Sequence, residues 1–150
     1  MLDATRKSVI WVTGPPGCGK TTLVASYLER RKQQSLWYQV DEGDADVASF
    51  FYYLGLAASE VRRKPQLRLP QLTPEYHAAI SAFSRRYFQA LYAHLGAPFA
   101  MVLDGYHEVS AQSAFHDAIR VALSEVPADC SVVLISRSDP PPLMARLRAN

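Results

Sequence analysis

The run Gly14-Pro15-Pro16-Gly17-Cys18-Gly19-Lys20-Thr21-Thr22 is a full match to the pattern G-x-x-x-x-G-K-[ST], and it lies between an apolar strand-like run and a helical pattern. Its chemistry is the holding of a polyphosphate. A densely anionic tail needs several backbone N–H groups converging with no side chain in the way, a positive helix end and one cation at the outer phosphates. Gly14, Gly17 and Gly19 supply the room and Lys20 the cation, with Pro15, Pro16 and Cys18 at the variable positions. Thr21 is spaced for its hydroxyl to ligate Mg²⁺, and Thr22 to bond a phosphate nearer the base. Oxidation or alkylation of Cys18 would obstruct such a loop; the plainer reading is a small residue at a variable position.

A second run, Phe99-Ala100-Met101-Val102-Leu103-Asp104, is an apolar strand ending in an acid. Beside a phosphate loop, that acid suits Mg²⁺, which demands oxygen ligands in octahedral geometry. The next position, where many ATPases place a glutamate to polarise water, holds Gly105, which has no base to offer. Glu108 is the nearest substitute, with Asp41 and Glu42 on the same edge of the sheet; each reads equally as a solvated loop acid or a helix cap. His107 reads as a loop residue. Hydrolysis is therefore expected to be slow. Arg137, in Ser136-Arg137-Ser138-Asp139, follows the last strand, where a guanidinium can reach a γ-phosphate and tell ATP from ADP. Its alternative is a surface arginine paired with Asp139.

Four strand-sized apolar runs position these residues: 9–13, 36–40, 99–103 and 132–135. Helical periodicity fills the gaps. Leu23, Val24, Tyr27 and Leu28 mark one helix; Val47, Phe50, Phe51, Leu54, Ala57, Ala58 and Val61 mark a second. Residues 64–74, with three prolines, read as a loop. Thr73-Pro74-Glu75 predicts the start of a third helix, with Gly96 as its stop. A fourth is expected from after Ser110 to before Pro127. Strands alternating with helices predict an α/β fold, a parallel sheet with helices on both faces, whose ligands bind beyond the carboxyl ends of the strands.

A chain of 150 residues with 49% hydrophobic and 20% charged content suits one globular domain. A net charge of +2 gives no electrostatic case for a nucleic-acid or membrane partner. The two cysteines, Cys18 and Cys130, match no zinc spacing or disulfide framework, so free thiols in a reducing compartment are expected. No apolar run approaches the roughly 20 residues of a membrane span, and no signal peptide is visible. A soluble, cytoplasmic protein is expected.

With these residues in place the chain resembles the STAND-class signalling ATPases, in particular the nucleotide-binding domain of the large LuxR-type, MalT-like transcriptional regulators. The likeness covers nearly the whole chain: residues 14–22, Leu36-Trp37-Tyr38-Gln39-Val40-Asp41-Glu42-Gly43-Asp44, residues 102–108, residues 135–141, and Leu143 to Arg148. It implies a three-layer P-loop NTPase with sheet order 5-1-4-3-2, ATP or ADP with Mg²⁺ as ligands, and a switch whose ATP-bound open form self-associates. It also implies DNA contact only through a domain outside this chain. Relatives commonly carry a second acid where this chain has Gly105. A fifth strand is not legible, so residues 1–150 are expected to be a P-loop domain cut before its last strand and lid. The first strand would then lie at an open edge, where backbone groups invite pairing with another chain. Two other readings stay open. One is a small-molecule kinase, with Arg62, Arg63, Arg85 and Arg86 as acceptor or lid arginines rather than solvated helix faces. The other is a nucleotide-loaded scaffold that never hydrolyses.

Overall fold

The structure is a computed structural model and describes residues 8–61 and 68–139. Runs rich in β-branched, aromatic and leucine side chains form four strands: β1 (Ser8–Thr13), β2 (Gln34–Gln39), β3 (Phe99–Asp104) and β4 (Ser131–Ser136). All are parallel, in the order β1-β4-β3-β2. That sequence of neighbours is the expected order over its four legible strands. Among the described strands β1 pairs with β4 alone, in the register Val9 opposite Val132 and Trp11 opposite Leu134. β3 is buried along its whole length, as a central strand covered on both faces must be.

Successive side chains of a strand point to opposite faces, so each strand feeds two cores. α1 (Lys20–Arg31) covers one face, laying Val24 and Leu28 on Ala100, Val102, Val133 and Ile135. α2 (Val47–Val61), α3 (Ile80–Leu95) and α4 (Phe115–Ser124) supply the larger core on the other face, over Leu36, Phe99, Met101, Leu103, Val132 and Leu134. Phe50 anchors it, fully buried with its ring against Tyr38, Phe51 and Phe115. Truncating such a ring to alanine costs about 3–5 kcal/mol. The resulting three layers place all four strand carboxyl ends along one edge. Of the stripe expected on α2, Phe50, Phe51, Leu54 and Ala58 are buried and Val47, Ala57 and Val61 half-buried, but the opposite face is not polar: Tyr52, Tyr53 and Leu56 are exposed.

Two helix starts differ from expectation. α3 begins at Ile80; residues Pro74–Ala79 form a 3-10 helix instead. Thr73 spends its hydroxyl on the Glu75 carboxylate, at 3.2 Å, rather than on a helix amide, and Ala79 (φ −135°, ψ 47°) breaks the path before the α-helix starts. α4 begins only at Phe115, after a turn over residues 111–114. The Ser113 hydroxyl accepts from the Phe115 amide at 3.0 Å and donates to the Ala45 carbonyl at 2.8 Å. Gly96 ends α3 as expected, its amide bonded to the Tyr92 carbonyl at 3.0 Å with φ 72°. Of the loop expected at 64–74, residues 64–67 lie outside the described residues and 68–73 have no regular structure. Among the described residues no helix is long and apolar enough to cross a membrane.

Candidate functional site

Thr13 leaves β1 at the strand's carboxyl end, and residues 14–19 turn the chain back into α1. The turn depends on glycine twice. Gly17 (φ 79°) and Gly19 (φ 87°) hold the left-handed conformation that side chains disfavour, by about 1–2 kcal/mol per residue. At Gly14 a Cβ would lie 2.6 Å from the Cys18 Sγ, so a side chain there would require the exposed thiol to rotate away. Gly19 is the N-cap of α1 with no side-chain cap bond, and the first turn of the helix carries no acid. The positive end of α1 therefore faces the loop without a carboxylate of its own.

Lys20 folds back across the loop, its Nζ donating to the carbonyls of Gly14 at 2.6 Å and Pro15 at 3.1 Å. One residue on, the Thr21 hydroxyl donates to Asp104 Oδ2 at 3.0 Å. The sheet brings these two together: Asp104 is the last residue of β3, and its carbonyl accepts from the Val40 amide at 2.7 Å and from Gln39 Nε2 at 3.1 Å. Asp104 is 9% exposed, enough for its carboxylate to face the loop while its backbone stays in the sheet. This donor set fits Mg²⁺ with a nucleotide polyphosphate: a hydroxyl and a carboxylate in contact, a cation on a short leash, and an uncapped helix end.

Gly105 follows in the left-handed conformation (φ 88°), its amide on the Ile135 carbonyl at 3.0 Å. A Cβ here would meet Gln39 Nε2 at 2.8 Å and the Val40 carbonyl at 2.9 Å. The exit of β2 thus closes over the position after Asp104. Two of the three candidate bases, Asp41 and Glu108, have other engagements. Asp41 caps the short 3-10 helix Glu42–Ala45, accepting from the Gly43 amide at 2.8 Å, while the Asp44 carboxylate takes the Asp41 amide at 2.9 Å. Glu108 is exposed and bonds His107, with Oε1 3.1 Å from Nε2. Together with Glu42, Trp11, Tyr106 and His116 it lines a cavity of about 660 Å³ to which none of residues 14–22 contributes. Arg137 is exposed just past β4, and its amide donates to His107 Nδ1 at 3.1 Å.

Sequence reasoning left two features unread. Asp44 is buried and accepts from the Tyr38 hydroxyl at 2.7 Å; burial first, and then this bond, push the tyrosine pKa well above its usual value. The signal was present, as acids spaced like Asp41 and Asp44 can form a reciprocal capping box. His116 is the other: buried, it bonds the Tyr106 hydroxyl at 2.7 Å and the Ser110 carbonyl at 2.8 Å, pinning the segment after β3 to α4.

The chain is 31% identical over 138 residues, 91% of its length, to the HTH-type transcriptional regulator MalT of Yersinia enterocolitica serotype O:8 / biotype 1B. It is 31% identical over 140 residues, 93% of its length, to the protein of the same description from Serratia proteamaculans. It spans 15% of the length of either relative. The likeness to MalT-like regulators read from the residues thus holds across the chain. A family model described as Nephrocystin 3, N-terminal, matches residues 1–137, and the chain belongs to that family.

Proposed function

We propose that residues 14–22 and Asp104 form a Mg²⁺-dependent site for ATP or ADP, and that the domain is the nucleotide switch of a transcriptional regulator. The observation that carries the reading is the 3.0 Å bond from Thr21 to Asp104 at the mouth of a glycine turn spanned by Lys20. Lys20 exchanges its two carbonyl partners for phosphate oxygens, the amides of the turn and of the first turn of α1 take the remaining oxygens, and Thr22 reaches the phosphate nearer the base. Thr21 and Asp104 hold the metal, whose charge offsets that of the outer phosphates. Arg137, at the same sheet edge, reads the γ-phosphate.

Hydrolysis in this reading is slow. Gly105 offers no base and Glu108 is engaged by His107, so turnover is expected below the roughly 10 per second of a typical enzyme. The same observations favour one alternative, a nucleotide-loaded scaffold that does not hydrolyse. The kinase reading is weaker: Arg85 pairs with Glu125 at 3.3 Å and Arg86 donates to the Tyr76 hydroxyl at 2.8 Å, as solvated helix residues do, while Arg62 and Arg63 lie outside the described residues. A cytoplasmic location follows from the regulatory reading. Self-association belongs to the ATP-bound form, and DNA contact to a separate domain.

The test is calorimetric titration of the protein and Lys20→Ala with ATP, ADP and GTP, with and without Mg²⁺. Hydrogen bonds to charged groups contribute about 1.5–3 kcal/mol, so the variant should bind about 10–100-fold more weakly. Equal affinity for parent and variant would remove the site from residues 14–22.

A further inference from the structure

We propose that His107 is a positioning residue that fixes the backbone of Arg137 and so sets how well the site tells ATP from ADP. This rests on the reading of Arg137 as the γ-phosphate sensor. The Arg137 amide donates to His107 Nδ1 at 3.1 Å. An N–H donates only to a lone pair, so Nδ1 is unprotonated and the ring proton sits on Nε2, which faces Glu108 Oε1 at 3.1 Å. One imidazole thus joins the exit of β3 to the first residue after β4, using both nitrogens.

The ring itself is held. The Glu108 amide bonds the Gly105 carbonyl at 2.9 Å, closing the short 3-10 helix Tyr106–Glu108, and the Gly105 amide bonds Ile135 at 3.0 Å. Tyr106, one residue before, is locked by His116 at 2.7 Å and by an edge-on contact with Trp11, 5.2 Å between ring centroids. The exits of β3 and β4 are therefore tied twice, by main chain at Gly105–Ile135 and by side chain at His107–Arg137. An arginine has a long, freely rotating side chain, so its reach is defined only when its backbone is. His107 supplies that definition and places it three residues from Asp104. Occupancy at Asp104 and the pose of Arg137 then share one rigid segment.

The experiment measures ATP and ADP affinities in Mg²⁺ for the parent, His107→Ala, His107→Asn, Arg137→Ala and the His107→Ala/Arg137→Ala pair, with thermal melts to confirm folding. His107→Ala should lower the ATP-over-ADP preference by about fivefold or more, the scale of coupling between linked sites, while ADP affinity stays near the parent's. His107→Asn, whose side-chain oxygen can accept at the place of Nδ1, should restore most of the preference. The double variant should be no worse than Arg137→Ala alone, because the two act as one unit. A parent-like preference in His107→Ala beside a lost one in Arg137→Ala, or no rescue by asparagine in a folded protein, overturns the proposal. An unchanged preference in Arg137→Ala overturns the sensor reading and the positioning role with it, and nucleotide affinity unaffected by Lys20→Ala marks failure of the site as a whole.

Discussion

Thr21 and Asp104 stand 83 residues apart in the chain, and the threonine hydroxyl donates to the carboxylate at 3.0 Å. Thr21 lies in the first turn of α1, which follows β1, and Asp104 ends β3; β4 lies between those two strands, so the contact reaches over one whole strand. Thr21→Ala and Asp104→Asn should abolish the gain in ATP affinity that Mg²⁺ gives the parent, while Thr21→Ser keeps it. Removing Mg²⁺ with a chelator should bring the parent down to the level of Thr21→Ala. The bond is partly exposed, so its loss should cost no more than about 1 kcal/mol in a melt. Undiminished Mg²⁺ dependence in both variants would mean that the metal sits elsewhere.

The legible part of this site is the part written locally. Residues 14–22 and the end of β3 are backbone motifs, and a glycine turn or an acid at a strand end looks the same in sequence as in space. The strands were readable because strands covered on both faces become continuous apolar runs. What sequence did not disclose depends on contacts between distant residues. Glu108 reads as a free acid until His107 is seen to bond it on one side and Arg137, 30 residues on, on the other. Ahead of α4, the Ser113 hydroxyl reaches the Ala45 carbonyl, 68 residues away. At Thr73-Pro74-Glu75 the local signal promised an α-helix, but the segment packs as a 3-10 helix with Tyr76 against Phe83, 5.1 Å between centroids.

Gly105 bears on whether the missing acid can be put back. Replacement by Glu or Asp should not create a fast ATPase, since a Cβ there meets the Val40 carbonyl at 2.9 Å and Gln39 Nε2 at 2.8 Å. Even Gly105→Ala should lower stability by more than the about 1–2 kcal/mol expected of the left-handed backbone alone, because a main-chain carbonyl cannot rotate away like a side chain. Denaturant melts and phosphate release measure the two effects. A Gly105→Glu protein that is as stable as the parent and turns over rapidly would contradict both.

The two thiols should separate by environment. Cys18 is exposed in the glycine turn between β1 and α1, with Nζ of Lys20 3.9 Å from its sulfur. Cys130 is buried, and burial is the largest influence on its thiol, raising the pKa. A native-state alkylation at neutral pH should modify Cys18 alone, with Cys130 reacting after denaturant is added. Bound ATP should protect Cys18, and alkylated protein should lose ATP affinity about as severely as Lys20→Ala, on the order of tenfold or more. Cys18→Ser should resist this inactivation. Equal reaction rates with and without nucleotide would separate the thiol from the site.

Alkaline pH should unfold the larger core through its tyrosines. Burial raises the hydroxyl pKa of Tyr38, Tyr87, Tyr92 and Tyr106 above the ordinary value of 10.0. In each the neutral form is favoured by the fold, so the contribution is intact below the unfolded pKa and declines as pH rises beyond it. Each hydroxyl that ionises only on unfolding removes up to about 1.4 kcal/mol of stability per pH unit above roughly 10. Stability at pH 9 should match that at pH 8 and fall steeply by pH 11. Tyr92→Phe removes one such group, whose hydroxyl donates to the Ala122 carbonyl at 2.7 Å, and should flatten the decline by one group's share while lowering stability at neutral pH by about 1 kcal/mol. Tyrosinate absorbance from these four rings should appear together with the loss of helical circular dichroism. If it rises gradually while the helices persist, the hydroxyls are open to solvent and the core over β3 is looser than its packing requires.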